Sequence, residues 1–70
     1  MVEFMIDGDF IELFKLLKAT KLCGTGGEAK TVIDEGRVTV DGEVETRLRR
    51  KIRPGMNVEY NGKRLAVRLP

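Results

Sequence analysis

Residues 25–42 read "TGGEAKTVIDEGRVTVDG". The stretch opens as a helix and closes as a strand. Thr25 followed by Glu28 is a T-x-x-E capping box, in which hydroxyl and carboxylate satisfy the first free N–H groups of a helix. Ala29, Val32 and Ile33 supply an apolar stripe, and Gly36 stands where a helix ends in a left-handed residue, so the spacing predicts a helix over 26–35. Lys30 and Asp34 lie one turn apart on its surface. The period then changes: Val38 and Val40 alternate with Arg37 and Thr39, and Asp41-Gly42 turns the chain. A two-residue loop would set Val40 opposite Glu43 and Thr39 opposite Val44, mixing apolar with polar. A three-residue loop sets Val38 opposite Val44 and keeps one face apolar, so it is the expected register, with Gly42 in a positive-φ bulge.

Upstream, Phe10, Leu13, Phe14 and Leu17 recur at one face of a helix, predicted over 10–19, with Asp9 and Glu12 as its capping box. Lys15, Lys18 and Lys21 read as its solvated side. Downstream, Pro54-Gly55 marks a turn and Asn61-Gly62 a two-residue hairpin, which pairs Val58 with Leu65, Met56 with Val67 and Glu59 with Arg64. Helix, helix, then short strands is the order of an α+β fold, two N-terminal helices covering a small antiparallel sheet. With 70 residues and no linker or repeat, residues 1–70 are expected to be one domain with a thin core.

The residue inventory narrows the chemistry. The chain has no histidine and no serine, which removes the commonest general base and metal ligand and the usual nucleophile pairs. No catalytic role, cofactor, metal or small-molecule substrate is expected. Cys23 is the one cysteine and reads as a small half-buried thiol in a reduced compartment. No stretch approaches the roughly 20 apolar residues of a membrane span, and the acidic start "MVEFMIDGD" lacks signal-peptide character, so a cytoplasmic protein that meets no membrane is expected.

Charge is distributed unevenly. The net charge of +2 hides −1 over residues 1–23, −4 over 24–46 and +7 over 47–70. Arg47, Arg49, Arg50, Lys51 and Arg53 fall within seven residues, just after Asp41, Glu43 and Glu45. Such sign asymmetry is a cue for a nucleic-acid surface. Guanidinium groups grip phosphate oxygens in pairs, and the glycines at 26 and 27 would let a phosphate approach the N-terminus of the second helix.

Thr25 to Gly42, in this order after one helix and before a hairpin, resembles the S4 RNA-binding domain, with its αL motif. The resemblance covers about residues 10 to 68, and "GGEAK" with "ETRLRRKI" is similar to small stand-alone bacterial S4 proteins. Ala29, Gly36, Val38, Val40, Asp41 and Gly42 hold the family's spacing. One departure stands out: Gly26 occupies the position of the family's usual arginine, and Thr25 that of its serine, while the basic residue after the alanine is kept as Lys30. The resemblance implies a non-catalytic module for structured RNA, ribosomal RNA included, and a monomer is expected. The expected contacts are Gly26, Gly27, Lys30, Arg37, Arg47, Arg49, Arg50 and Lys51. With four aromatic residues, and Phe10 and Phe14 assigned to the core stripe, recognition of backbone and shape is expected to outweigh base stacking. The alternative reading is a protein-interaction module whose basic loop docks on an acidic partner; RNase treatment of a captured complex separates the two.

Overall fold

The structure, a computed structural model, describes residues 2–70. Its elements are β1 (Val2–Met5), β2 (Ile11–Glu12), α1 (Leu13–Ala19), α2 (Gly26–Asp34), β3 (Val38–Val40), β4 (Glu43–Val44), β5 (Lys51–Ile52), β6 (Asn57–Tyr60) and β7 (Lys63–Arg68). Five strands form one sheet in the order β1-β7-β6-β3-β4, and β2 pairs with β5 in a separate ribbon. The α+β class is as the pattern predicts. The sheet is mixed because β1 runs parallel to β7, with Val2 beside Leu65 and Phe4 beside Val67.

Side-chain alternation decides which face of the sheet is dry. Val38, Val40, Val58, Leu65 and Val67 all point one way and are buried, as registers Val40 to Val58 and Val58 to Leu65 require. On that face they meet Leu13, Leu16 and Leu17 from α1, Ala29, Val32 and Ile33 from α2, and Ile52 from β5, in one continuous core. Ion pairs Arg64–Glu59 (2.9 Å) and Arg68–Glu3 cross between neighbouring strands.

The second helix forms as read. Thr25 Oγ1 accepts from the Glu28 N–H at 3.0 Å, and Glu28 Oε1 accepts from the Gly24 N–H at 3.1 Å. Gly36 has φ +73°, and the chain leaves the helix through Gly36 N–H to Ile33 O and Arg37 N–H to Val32 O, both 3.0 Å. Among the described residues Lys30 makes no ion pair with Asp34; both are exposed. The Asn61-Gly62 hairpin has the expected register, with positive φ at both turn residues.

Two expectations fail. Helix α1 begins at Leu13, three residues late, and Glu12 at its N-cap makes no side-chain capping bond. Ile11 and Glu12 instead extend as β2 against Ile52 and Lys51, so Asp9 is outside the helix and Phe10 is 40% exposed rather than core. The β3–β4 loop has two residues, not three: Thr39 lies opposite Val44 and Val40 opposite Glu43. Asp41 (φ +49°) and Gly42 (φ +85°) are both left-handed, the geometry of a type I′ turn. The apolar face of β3 is completed by β6 on its other side, so β4 has no apolar match to make and Val44 is left 63% exposed at the sheet edge. Asp41 is pinned to β6, donating its N–H to Asn57 O (2.8 Å) and accepting the Asn57 N–H at Oδ1 (2.9 Å).

Candidate functional site

The segment 45–53 is anchored from within. Leu48 packs against the core, Ile52 is fully buried, and Arg47, Arg49, Lys51 and Arg53 point outward between and beside them. Its backbone is tied to the start of α1: the Leu13 N–H donates to Arg50 O at 2.9 Å and the Phe14 N–H to Leu48 O at 3.2 Å. These carbonyls satisfy amides that a side-chain cap would otherwise serve. The loop caps the helix, and the helix holds the loop.

The outcome is one open hollow of about 520 Å³ lined by Arg47, Arg49, Arg50, Lys51, Arg53 and Met56. Glu45, which shares a neighbouring hollow with Arg47 and Arg50, is buried although ionised. Its Oε2 accepts the Arg47 backbone N–H (2.9 Å) and Nε–H (3.0 Å), and its Oε1 accepts Arg47 Nη2–H (3.0 Å) and Arg50 Nη1–H (2.9 Å). The Arg47 hydrogen bonds hold the Glu45 carboxyl down at about 2, against the opposing effect of burial. Among the described residues Arg49, Lys51 and Arg53 enter no ion pair, nor do the other two upstream acids, Asp41 and Glu43. The hollow is therefore lined by five cations, two of which, Arg47 and Arg50, are paired with Glu45.

Four of the expected contact residues, Arg47, Arg49, Arg50 and Lys51, come together in this hollow. Gly26, Gly27, Lys30 and Arg37 do not line it. The helix start is partly closed by its own cap, since Thr25 and Glu28 already engage Glu28 N–H and Gly24 N–H. Arg37 pairs with Glu35 at 3.6 Å and lies over the Tyr60 ring at 5.6 Å. Cys23 is buried, and burial pushes its thiol pKa up, which keeps it protonated.

Sequence reasoning missed Arg53 and Met56 as parts of this surface, and Glu45 as the carboxylate that holds two of its arginines. Arg53 was legible, being inside the basic run; Glu45 was not separable from Asp41 and Glu43 without the β3–β4 register. Phe10 lies outside the core. Its ring lies 4.9 Å from Lys51 Nζ and 5.8 Å from Arg53 Cζ, at the edge of the basic hollow.

Comparison with known proteins is consistent with this architecture. A family model for the S4 domain matches residues 4–68. The chain is 46% identical over 57 residues to the "Putative RNA-binding protein YbcJ" of Escherichia coli (strain K12), with 81% of each chain covered. An uncharacterised YbcJ protein of Shigella flexneri matches at the same identity and coverage. The solution structure of E. coli YbcJ, described as revealing an αL motif involved in RNA binding, superposes with a TM-score of 0.76 at 40% identity over 97% of this chain and 87% of that one. A family model that matches residues 4–68, together with a relative 46% identical over 81% of the chain, makes this chain a member of the S4 domain family.

Proposed function

We propose that this chain is a non-catalytic RNA-binding module that grips the phosphate backbone of structured RNA, ribosomal RNA among the candidates. The observation that carries the reading is the gathering of Arg47, Arg49, Arg50, Lys51 and Arg53 around a single open hollow. Close cations raise the local potential and meet consecutive phosphates, each contact releasing condensed counterions. Buried Glu45 supports the same reading. It holds two guanidinium groups in place while leaving most of their N–H donors free, because each arginine carries five. The names given to the E. coli relative and its structure support RNA as the polyanion. Contacts from Gly26, Gly27, Lys30 and Arg37 would be a secondary part of the surface, outside the hollow.

The test is a salt series with a folded RNA. Four to six neutralised phosphates give a log K against log salt slope of roughly −3 to −5. Replacing Arg47 or Arg50 would orphan Glu45, so the cleaner variant is Arg49→Ala, Lys51→Ala and Arg53→Ala together. It should fold as before and lose about two to three units of slope. A flat salt dependence, or an unchanged slope in the triple variant, overturns the reading.

A further inference from the structure

Beside the basic hollow lies a second one, of about 430 Å³, lined by Phe10, Ile11, Glu12 and Lys15. We infer that it is a nucleobase subsite, adjoining the phosphate hollow and taking one unpaired nucleotide of the bound RNA. The inference rests on the RNA-binding reading and adds to it what kind of RNA the site prefers.

Three features point to a base. Phe10 is 40% exposed and lines this hollow, so part of an aromatic ring is open to solvent there. Lys51 Nζ and Arg53 Cζ lie 4.9 and 5.8 Å from the centre of its ring, and both side chains line the phosphate hollow, so the ring that lines the second hollow neighbours cations of the first. A nucleotide whose phosphate sits among the cations therefore has its base within reach of the aromatic ring. The rim also carries complementary polar groups: the Glu12 carboxylate, 23% exposed, lies 3.2 Å from Lys15 Nζ. Acceptor and donor beside an aromatic face suit the hydrogen-bonding edge of a base, and a carboxylate accepts from an exocyclic amine such as that of cytosine. The pairing of Glu12 with Lys51 across β2 and β5 sets the spacing of the two hollows in the backbone itself. Bases inside an uninterrupted duplex keep their faces stacked away, so the occupant must come from a bulge, loop or end.

The experiment uses the full chain and two RNA hairpins that differ only by one bulged cytidine, with affinity measured by fluorescence anisotropy at several salt concentrations. Wild type should bind the bulged hairpin roughly ten-fold more tightly, the scale of one base stacked on an aromatic ring. Phe10→Leu, which keeps apolar volume and so the fold, should erase that preference without changing the salt slope; Phe10→Trp should restore it. Equal affinity of wild type for the two hairpins overturns the subsite and leaves the phosphate grip standing, as does Phe10→Leu weakening both equally. Salt-independent binding to both hairpins overturns the parent reading as well.

Discussion

Glu45 removes one unit of charge from the basic hollow and gives it shape in return. A carboxylate in a buried position survives ionised only when its oxygens are filled, and here four N–H groups fill them. The pKa shift makes this a pH-dependent term. The folded value, about 2, lies below the ordinary 4.5, so the native state binds the proton less readily than the unfolded chain. The stabilisation is thus full above about pH 4.5 and is lost as pH falls through about 2. Glu45→Gln should lower stability by about 1–3 kcal/mol at pH 7, with the difference from wild type shrinking towards pH 2. Urea denaturation at a series of pH values reads this directly, and a pH-independent difference would contradict it. Three carboxylates precede the basic run, and their spacing alone gives each the same claim on it. The choice of Glu45 follows from the two-residue turn, which lets Glu45 N–H donate to Val38 O at 3.0 Å.

The two helices show how one sequence pattern acquires two meanings. Asp9-x-x-Glu12 and Thr25-x-x-Glu28 have the same form. Only the second caps a helix: among the described residues Gly24 to Glu28 pairs with no strand, whereas Ile11 and Glu12 find β5. Backbone pairing across the ribbon, with the carbonyls of Arg50 and Leu48 receiving the first α1 amides, outcompetes a local side-chain cap. Thr25→Ala should therefore cost about 1 kcal/mol, while Asp9→Ala should stay within about 0.5 kcal/mol of wild type. Thermal or chemical denaturation of the two variants side by side tests the assignment; equal losses would mean that α1 is capped by Asp9 after all. The same displacement takes Phe10 out of the core stripe and sets it beside Lys51 and Arg53, so the helix boundary also decides what the surface presents.

Across the whole molecule, closure depends on contacts between the ends of the chain. Strand β1 covers the outer edge of β7, pairing Val2 to Met5 with Leu65 to Arg68. Strand β7 is the longest of the sheet, and Leu65 and Val67 on it are buried. Deleting Val2–Met5 should uncover that edge and remove the partly buried Phe4 from the core, at a loss of about 3 kcal/mol or more. An exposed strand edge with an apolar face also recruits other chains. The expected result is a lower urea midpoint together with concentration-dependent association in light scattering; a monomeric deletion variant of wild-type stability would show that β1 is dispensable.

Local patterns were enough for the α+β class, the second helix with both its ends, the Asn61-Gly62 hairpin and the concentration of cations in residues 47–53. Each of these depends on residues close in sequence: caps, turn residues and hydrophobic period act over a few positions, and their energies do not wait for the rest of the chain. The parallel strand β1, the β2–β5 ribbon, the late start of α1, the role of Glu45 and the position of Phe10 depend on partners far along the chain. Pairings such as Ile11 with Ile52 and Val2 with Leu65 are chosen by competition among distant backbones for the same hydrogen bonds and the same buried face. That competition converts a linear run of basic residues into a hollow.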